Sequence, residues 1–543
     1  MSAECYPISV LPHVSALFRD YLAMGESAPG SKLRSWFGGE PFGGSWMQGS
    51  VRGGTDAAGL AAALDRQSRN FGAGAATLNN IEKLRHGAHA VVTGQQVGLL
   101  GGPLLTLLKA ATAVARAHEA TRVTGVEHVP VFWLATEDHD LAEVDQITLL
   151  TKTAVETLRA GIRIVGAAPV GKVAVGAGID KVLEQAEELL GWAPVCDLLR
   201  QCYGSREDYA PTMGGAFARW MTAVFAEQGL IVMDADGREF HALGASTLRS
   251  AIEDAEELEQ ALLIRSEELE QAGYHAQVKV AKEMSLLFLI SEVDGVVDRQ
   301  SLRRSANGEW KAGRQVYTTA ELLQILEGEP ERLSPNALLR PVFQDTILPT
   351  AAYVGGPAEV AYFAQSAVLY ERILGRVTPV LPRLTATLIE PSIASVMDRD
   401  EVLLPDAMTS AEQLSQRLGA RAMPIELKRR LASAGKSVDT ELQALIEYLG
   451  GMDASLGRSG EISGSKMRYQ MNRLRRMAAS HELEKEASLR KHAAAITLNV
   501  FPGGHPQERV VAGVWYLARY EGLLDRLVSE AASLCGGHTV VRL

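Results

Sequence analysis

One pattern of apolar and glycine-rich stretches occurs twice in this chain and limits the folds it can adopt. In the first copy, an apolar run at residues 88–94 precedes a Gly-Gly-Pro turn at 101–103, a helical pattern and a second apolar run at 127–136. The second copy has its Gly-Gly-Pro turn at 355–357 and a strand expected from about Val377. Such βαβ crossovers require a parallel sheet with covered faces. Two copies predict two halves of one doubly wound, Rossmann-like α/β sheet, unless the short string recurs by coincidence.

The size and composition of the chain describe a folded protein with more than one unit. At 543 residues it exceeds the size of a single hydrophobic core, and 47% of its residues are hydrophobic. The formal net charge of -11 argues against a general nucleic-acid binder, because phosphate contacts need concentrated Lys and Arg. No signal peptide or membrane-length apolar span is recognisable, so a cytoplasmic protein without membrane partners is expected.

The changes of pattern along the chain predict five segments. Residues 1–155 hold the N-terminal part of the Rossmann-like core, and 156–335 form inserted connecting α+β segments with one long exposed helix. Residues 336–392 supply the second half of the core. A helical coiled-coil domain spans 393–497, and 498–543 form a C-terminal loop and a helix that packs back.

Two stretches outside the repeated pattern carry more detailed predictions. A weakly alternating run at 160–179 predicts β structure. Apolar residues at three-and-four spacing, from Leu442 to Leu456 and from Met467 to Met477, predict two long antiparallel helices. The turn between these helices is expected near Gly457 or Gly460.

The cysteines predict neither a disulfide framework nor a metal site. They are too few and too scattered in a chain of this length, and their spacing does not match a zinc site. All are expected to be reduced and structural. The four are Cys5, Cys196, Cys202 and Cys535.

Four ionisable residues follow directly on the apolar run at 131–135. Ligands of open parallel sheets bind outside the carboxyl ends of the strands, so these side chains can hold an ammonium group, accept a proton or help ligate a divalent ion. Neighbouring carboxylates favour the charged form of the histidine, whereas burial opposes it. A solvated loop with an Asp capping the next helix is the alternative. The predicted catalytic residues are Glu137, Asp138, His139 and Asp140.

The glycine-rich stretch TGQQVGLLGGP is the second candidate site. Its glycines allow close approach of a ligand, and its place before a helix favours an anion. It matches neither a Walker A loop nor GxGxxG, and a tight strand-to-helix turn is the structural alternative. The predicted substrate-binding residues are Thr93, Gly94, Gln95 and Gln96. The predicted nucleotide-binding residues are Gly98, Gly101, Gly102 and Lys109, although a solvated helix face explains the lysine better.

The stretch around the second Gly-Gly-Pro turn is the third candidate. An arginine here can clamp a carboxylate or phosphate through two hydrogen bonds. The alternatives are an ion pair of Arg340 with Asp345, a core role for Tyr353, and a first-turn acid in Glu359 that complements the helix dipole. The predicted substrate-binding residues are Arg340, Gln344, Gly355, Gly356 and Glu359.

Two shorter polar groups are weaker candidates. Residues 507–509 follow a Gly/Pro turn before a helix, where an interdomain role and a capped helix start explain them equally well. Tyr274, His275 and Gln277 form a polar cluster before a β segment, and a structural reading is favoured for them.

Five separated motifs resemble those of the BshC family, the cysteine-adding ligases of bacillithiol biosynthesis. They occur in the family's order from about Ala88 to the C-terminus. Leu100, Leu105 and His505 depart from the family pattern and concern the substrate pocket more than the fold. The motifs are TGQQVGLLGGPLLT with Lys109, FWLATEDHD, LRPVFQDTILPTAAYVGGPAEVAYF, PRLTATLIE and FPGGHPQER.

The resemblance implies a nucleotidyltransferase-like Rossmann core, a coiled-coil domain and a homodimer. It also implies a reaction that joins cysteine to the malyl group of glucosaminyl malate by an amide bond. Because a carboxylate needs activation, an adenine nucleotide, ATP or ADP, is the suspected cofactor. In this hypothesis the turn at 94–102 and Arg340 hold the anionic partner, while 137–140 receive the cysteine ammonium and His139 takes its proton.

Two other functions stay open on the sequence. One is a nucleotidyltransferase or pantoate-ligase-like enzyme acting on another acid. The other is a coiled-coil binding protein whose Rossmann core senses a nucleotide without turnover. Product analysis with cysteine, glucosaminyl malate and ATP separates the three.

Overall fold

The computed structural model describes most of the chain. The described residues are 4–25, 33–49, 56–138, 140–163, 166–206, 210–293, 296–305, 308–485, 487–533 and 535–543. They divide into two compact units. The first contains the described residues of 1–150, 156–387 and 508–541, and the second those of 151–155, 388–507 and 542–543.

The strands of the described residues are short and lie almost entirely in the first unit. They are β1 (Glu4–Tyr6), β2 (His89–Gln96), β3 (His128–Ala135), β4 (Gln146–Leu150), β5 (Val155–Arg159), β6 (Ile231–Asp234), β7 (Met284–Val293), β8 (Val296–Arg304), β9 (Trp310–Ala312), β10 (Gln315–Tyr317), β11 (Leu333–Pro335), β12 (Thr350–Gly355), β13 (Val380–Pro382), β14 (Ala386–Ile389) and β15 (His538–Arg542).

The helices of the described residues range from single turns to the long pair of the second unit. They are α1 (Ala16–Leu22), α2 (Leu33–Trp36), α3 (Ala57–Asn70), α4 (Ala75–Arg85), α5 (Leu105–Thr124), α6 (Leu141–Val144), α7 (Gly178–Leu190), α8 (Val195–Tyr203), α9 (Met213–Val224), α10 (Arg238–Leu243), α11 (Ala245–Glu253), α12 (Ala255–Gln271), α13 (Thr319–Gly328), α14 (Arg340–Ile347), α15 (Pro357–Leu374), α16 (Pro391–Arg399), α17 (Leu404–Ala407), α18 (Ala411–Ala422), α19 (Ile425–Met452), α20 (Ala454–Lys485), α21 (Ala487–Val500), α22 (Gln507–Val510), α23 (Gly513–Leu517) and α24 (Leu523–Ala532). Among these described helices, none is both long and apolar enough to cross a membrane.

A five-stranded parallel sheet is the centre of the first unit. Its order is β13-β12-β2-β3-β6, and each neighbouring pair runs parallel. Valines such as Val91, Val92 and Val131 are fully buried, as expected for strands that are covered on both faces. The small face of α5, with Ala113 and Ala117, packs in the same core as Val91. The predicted Rossmann-like α/β sheet is therefore confirmed.

The two copies of the Gly-Gly-Pro pattern lie side by side in this sheet. β2 precedes the first turn and β12 precedes the second, and Val92 pairs with Tyr353 between them. The expected second strand is present as β13 at Val380–Pro382. One strand comes from the predicted connecting segments, because β6 pairs with β3 at the edge of the sheet. The prediction that 156–335 only connect the two halves of the core is therefore corrected, because this range supplies one strand of the core sheet.

The first Gly-Gly-Pro turn is a packed structural turn. Gly101 has a φ of +88°, and a Cβ there would overlap the indole of Trp220. The Tyr203 hydroxyl accepts a hydrogen bond from the Gly101 amide at 3.1 Å and donates one to the Gly98 carbonyl at 3.1 Å. The glycine is required here because only a residue without a side chain fits both the backbone angle and the close approach.

Two predictions for the connecting segments are wrong. The expected single long exposed helix is two helices, α11 and α12, which are separated at Asp254, and its apolar residues Leu248, Leu258 and Leu262 are buried. The expected β structure at 160–179 is mostly irregular in its described part, with a short 3-10 turn at Val170–Lys172. Weak alternation did not distinguish a strand from an extended loop there.

Strands β7 to β11 form a separate antiparallel sheet of order β10-β9-β8-β7-β11.

The second unit is dominated by the antiparallel pair α19 and α20, which confirms the predicted paired helices. The turn is at Asp453, a few residues before the expected glycines. The Asp453 carboxylate caps α20 by accepting hydrogen bonds from the amides of Ser455 at 2.7 Å and Leu456 at 3.3 Å. Gly457 lies instead where the two helices come close, with a Cβ position 3.0 Å from the Cα of Gly450.

Two of the cysteines form a disulfide, so the expectation that all four are reduced is wrong. Cys5 and Cys535 are 530 residues apart in sequence and have Cα atoms 5.9 Å apart. Strands β1 and β15 pair antiparallel and bring them together. Sequence spacing did not reveal this, because only the sheet places the two ends of the chain side by side. Cys196 and Cys202 are free and buried.

Candidate active site

A cavity of about 360 Å³ opens at the carboxyl ends of the parallel strands. Residues at or just after the ends of four strands line it, as expected for a ligand site of a doubly wound sheet. Gln96 ends β2, Ala135 ends β3, Gly356 follows β12 and Arg383 follows β13. The lining residues are Gly94, Gln95, Gln96, Leu105, Lys109, Trp133, Ala135, Asp138, Gln277, Val278, Arg340, Pro341, Gln344, Tyr353, Gly356, Pro357, Ala358, Glu359, Tyr362, Arg383 and Arg509.

Lys109 joins the two halves of the sheet at the wall of this cavity. Its ammonium donates to the Gly94 carbonyl at 2.8 Å and to Oε1 of Gln95 at 2.7 Å, and it lies 2.7 Å from Oε2 of Glu359. The lysine side chain is 5% exposed, so the expected solvated helix face is wrong. Burial lowers the pKa of Lys109, and Glu359 opposes that shift. Because all three partners are acceptors, the geometry fits the protonated amine.

Glu359 serves both as a helix cap and as an ion-pair partner. Its Oε2 accepts a hydrogen bond from the Gly356 amide at 2.7 Å, which confirms the first-turn reading of this residue. Its Oε1 accepts a hydrogen bond from the hydroxyl of Tyr353 at 2.7 Å. Burial raises the pKa of Tyr353 well above its ordinary value, so the phenol stays a donor. The second Gly-Gly-Pro turn is thereby held against the end of β2 through Lys109.

The mouth of β3 presents two carboxylates in different surroundings. Asp138 lines the cavity and accepts a hydrogen bond from Nε2 of Gln96 at 2.7 Å. Glu137 lies behind this wall, 3.2 Å from Nε2 of the fully buried His241. Nδ1 of His241 donates to the Pro330 carbonyl at 3.2 Å. The second ring nitrogen faces a carboxylate at ion-pair distance, so the arrangement fits an imidazolium beside a carboxylate.

The directions of the pKa shifts agree with a charged Glu137–His241 pair. Burial would raise the pKa of Glu137, but its contacts with His241 lower it overall. Burial would likewise lower the pKa of His241, but the carboxylate of Glu137 raises it overall. Asp236 lies close to both, and burial with the neighbouring Asp234 raises its pKa to about 7. Lys172 pairs with Asp236 at 3.1 Å and offsets part of this shift.

Two arginines reach the cavity and have no carboxylate partner among the residues that the structure describes. Neither Arg340, the first residue of α14, nor Arg509 of α22 has a carboxylate within ion-pair distance among the described residues. Burial would lower the pKa of Arg340, but neighbours including Tyr362 and Asp138 raise it overall. Burial and the charge of Arg383 lower the pKa of Arg509. The expected ion pair of Arg340 with Asp345 is not formed.

Arg383, in contrast, is held by a buried carboxylate. It donates two hydrogen bonds to Glu508, at 3.0 and 2.5 Å, and a third to the Leu384 carbonyl at 2.8 Å. Glu508 also accepts a hydrogen bond from the Ala386 amide at 3.0 Å. Within the first unit, this contact ties the segment that carries Arg509 to the end of β13.

The structure brings most of the predicted substrate-binding residues into one cavity. The end of β2, the second Gly-Gly-Pro turn and the mouth of β3 contribute to the same wall, whereas the first Gly-Gly-Pro turn does not. Gln344 lines the cavity and donates to Asp345 at 2.9 Å, while Asp345 accepts a second hydrogen bond from Tyr370 at 2.8 Å. Predicted residues that line the cavity are Gly94, Gln95, Gln96, Lys109, Asp138, Arg340, Gln344, Gly356 and Glu359.

Other predicted site residues lie elsewhere. His139 is outside the described residues. Asp140 is exposed, and Glu137 lies behind the wall. Thr93 is fully buried and donates to the Val354 carbonyl at 2.8 Å. The remaining predicted residues that do not line the cavity are Gly355, Gly98, Gly101 and Gly102.

Several residues of the site were not singled out from the sequence. Arg383 stands in a motif that was noted only for its resemblance, and Tyr362 lies within the third candidate stretch without a special signal. His241 is an isolated histidine in a helical stretch, and no local pattern links it to Glu137. Gln277 was given a structural reading, yet it lines the cavity. An isolated polar residue carries no signal until the fold provides its neighbours.

Comparison with known proteins identifies the family of this chain. Residues 1–384 match the family model described as Bacillithiol biosynthesis BshC, N-terminal Rossmann-like domain, and 386–543 match that of the C-terminal coiled-coil domain. The chain belongs to the BshC family. The motif resemblance is thereby confirmed, and the parallel sheet and the paired helices correspond to the two domains of the BshC family.

Relatives in the BshC family cover nearly the whole chain. A protein of Koribacter versatilis named "Putative cysteine ligase BshC" is 40% identical over 550 residues and is aligned over 100% of both chains. A protein of the same name from Solibacter usitatus is 35% identical, with 84% of each chain aligned. One from Geobacillus kaustophilus is 30% identical, with 90% of each chain aligned.

Proposed function

We propose that this chain is a cysteine ligase that forms an amide bond between cysteine and glucosaminyl malate, the last step of bacillithiol biosynthesis. Membership of the BshC family and the printed names of the relatives support this class of reaction. The cavity at the strand ends supports a small polar substrate with negative charge. Its lining has four cationic side chains, Lys109, Arg340, Arg383 and Arg509, against the two carboxylates of Asp138 and Glu359.

The observation that carries the proposal is a pair of cavity arginines that have no carboxylate partner in the described part of the chain. Lys109 and Arg383 are neutralised by Glu359 and Glu508, whereas Arg340 and Arg509 have no such partner among the described residues. Guanidinium groups bind carboxylates through two parallel hydrogen bonds. The two malyl carboxylates of glucosaminyl malate supply two matching anions.

This match favours one direction of amide formation. Glucosaminyl malate carries an amine on its sugar and carboxylates on its malyl group, and cysteine carries both groups. If the malyl carboxylates stay ionised and bind the arginines, the carboxyl group of cysteine is the one activated. The sugar amine then attacks it, the C–N bond forms, and one carboxyl oxygen leaves with the activating group. The sequence hypothesis had assigned the new bond to the malyl group, so the proposal differs in this step.

The acidic wall is suited to the ammonium groups of the substrates. Asp138 lines the cavity, whereas the carboxylate of Glu137 lies behind the wall and is paired with His241. A carboxylate attracts a bound ammonium group more strongly there than in bulk water, because less polar surroundings screen the two charges less. A proton must also leave the attacking amine. His139 remains the sequence-based hypothesis for its acceptor.

An adenine nucleotide, supplied as ATP, is proposed as the activating co-substrate. It would transfer a phosphoryl or adenylyl group to the cysteine carboxylate, which is a poor electrophile by itself. The turn at 98–102 does not fit the expected phosphate cradle, because the Gly101 amide donates to Tyr203 and the Gly102 amide to the Leu99 carbonyl. Arg340 and Arg509 fit an anionic group of either substrate.

Product analysis with the purified full chain tests the proposal. Incubation with cysteine, glucosaminyl malate and ATP should give the amide product in mass spectrometry, with stoichiometric release of phosphate or pyrophosphate. N-acetylated glucosaminyl malate should give no product, because its amine is blocked. Product formation from the N-acetylated acid would reverse the direction of the bond, and no product with any nucleotide would contradict the ligase.

The variant His139→Ala tests the proposed proton acceptor. It should lose amide formation while its thermal unfolding midpoint stays that of the wild-type chain. His86→Ala is a matched control, because His86 is an exposed histidine of the same unit. Retained turnover in His139→Ala would remove the role of this residue and leave the ligase proposal intact.

A further inference from the structure

Four glutamines line the cavity, and three of them are already bound by the protein. Gln95 accepts from Lys109, Gln96 donates to Asp138 and Gln344 donates to Asp345. The fourth, Gln277, is an exposed residue that lines the cavity and has no side-chain hydrogen-bond partner in the described part of the chain.

The segment that carries Gln277 has no regular secondary structure but is held in place. The side chain of the fully buried Gln365 accepts a hydrogen bond from the Val278 amide and donates one to the Val278 carbonyl, both at 2.9 Å. The side-chain amide thus pairs with the backbone of Val278 in the way that a neighbouring strand would. Upstream, the hydroxyl of Tyr274 donates to Asp20 at 2.8 Å. Gln277 is therefore presented to the cavity by a backbone that is fixed at the next residue.

We infer that Gln277 determines specificity for the sugar part of the acid substrate by hydrogen bonding to its hydroxyl groups. A primary amide offers both donors and an acceptor, which suits a hydroxyl group better than a carboxylate. The charged groups of the substrate already have their counterparts in Arg340, Arg509 and Asp138. This inference rests on the proposed function, since the sugar belongs to glucosaminyl malate.

Gln365 acts through Val278 and is a positioning residue. Without its two hydrogen bonds, the backbone beside Gln277 loses its fixed place, and the amide of Gln277 pays a larger entropic cost on binding. Removing either residue should therefore weaken the same interaction. A site that binds a substrate hydroxyl also discriminates against analogues without it.

Isothermal titration with two probes tests the inference on the full chain. The probes are glucosaminyl malate and malate, which has the carboxylates but no sugar. Gln277→Leu should raise the Kd of glucosaminyl malate about tenfold and change the Kd of malate less than about twofold, as expected for the loss of one or two hydrogen bonds. Gln365→Leu should act like Gln277→Leu: it should raise the Kd of glucosaminyl malate and change the Kd of malate little.

His275→Ala is the matched control, because His275 lies in the same segment and is exposed like Gln277 but, unlike it, does not line the cavity. It should leave both Kd values unchanged. An unchanged Kd of glucosaminyl malate in Gln277→Leu, or an equal loss for malate, would overturn the inference. Thermal unfolding checks whether Gln365→Leu is folded. If it is not, the comparison of Gln277→Leu with His275→Ala decides whether the inference holds. Wild-type chain that binds neither probe would contradict the proposed function instead.

Discussion

The guanidinium of Arg383 and the carboxylate of Glu508 form a two-point ion pair in which both side chains are only 2% exposed. The two residues are 125 positions apart in sequence. Burial would raise the pKa of Glu508, but the charge of Arg383 lowers it overall. Breaking a buried pair leaves one charge without its partner, which costs far more than losing a pair at the surface.

Glu508→Gln should therefore destabilise the first unit by about 3–5 kcal/mol, measured by urea unfolding. Arg66→Gln is the control, because Arg66 and Glu239 form an exposed pair with 60% and 57% of their side chains accessible. It should change the free energy of unfolding by less than about 1 kcal/mol. Equal changes in the free energy of unfolding would show that the buried Arg383–Glu508 pair stabilises the fold no more than a surface pair does.

The Glu137–His241 pair should make stability depend on pH. The pKa of Glu137 is lowered from 4.5, so its contribution is lost as the pH falls through the folded-state value. The pKa of His241 is raised from 6.5, so its contribution is lost as the pH rises through the folded-state value. The pair contributes most between these two ordinary values.

The variant His241→Asn keeps a donor near Pro330 and removes the charge that faces Glu137. The difference in unfolding free energy between wild type and this variant should be largest near pH 5.5 and smaller at about pH 9. Asp236, Asp234 and Arg299 also lie near Glu137 and act on its charge. The unfolding free energy of Arg299→Gln, which removes another positive charge near this carboxylate, is therefore measured over the same pH range. A difference that does not change with pH would contradict a charged pair.

Gly101 should tolerate a side chain much less than another glycine with a similar backbone angle. Gly101→Ala brings a Cβ against the Trp220 indole and should cost about 3 kcal/mol or more. Gly125 has a φ of +71° with nothing within 4 Å of its Cβ position, so Gly125→Ala should cost about 1–2 kcal/mol. Thermal unfolding compares the two. Similar midpoints would mean that the first turn is not held by packing.

The Cys5–Cys535 disulfide should stabilise the first unit. Reduction by an excess of a dithiol should lower the free energy of unfolding of the wild-type chain by about 2–4 kcal/mol. Cys5→Ser should start from the lower value and not respond to the dithiol, whereas Cys196→Ser should respond like the wild type. A wild-type unfolding midpoint that is insensitive to the dithiol would contradict a contribution of the disulfide to stability.

Arg340 should determine affinity for the acid substrate. Arg340→Lys keeps the charge but loses the two-point geometry, and should raise the KM for glucosaminyl malate about tenfold with a smaller effect on the KM for cysteine. Arg122→Lys on the exposed end of α5 is the control and should behave as the wild type. If Arg340→Lys raised the KM for cysteine more, the arginine would serve the other substrate.

The central elements of the fold could be predicted because their signals are local. The apolar runs of β2 and β3, the helix between them and the paired helices follow from periodicity over adjacent residues. The repeated Gly-Gly-Pro turn also predicted correctly that β2 and β12 belong to one sheet. The long exposed helix failed because charge along a sequence does not reveal that Leu248 and Leu262 face other elements.

The sequence by itself determined the parallel sheet, the paired helices and the stretches that contribute to the cavity, because backbone preferences and apolar patterns act over a few residues. Only the tertiary structure decided that Lys109 is buried between two halves, that His241 pairs with Glu137 and that Gln277 reaches the cavity. Those relationships depend on which groups the fold brings together from distant parts of the sequence, and burial and partner distance exist only after the chain has folded.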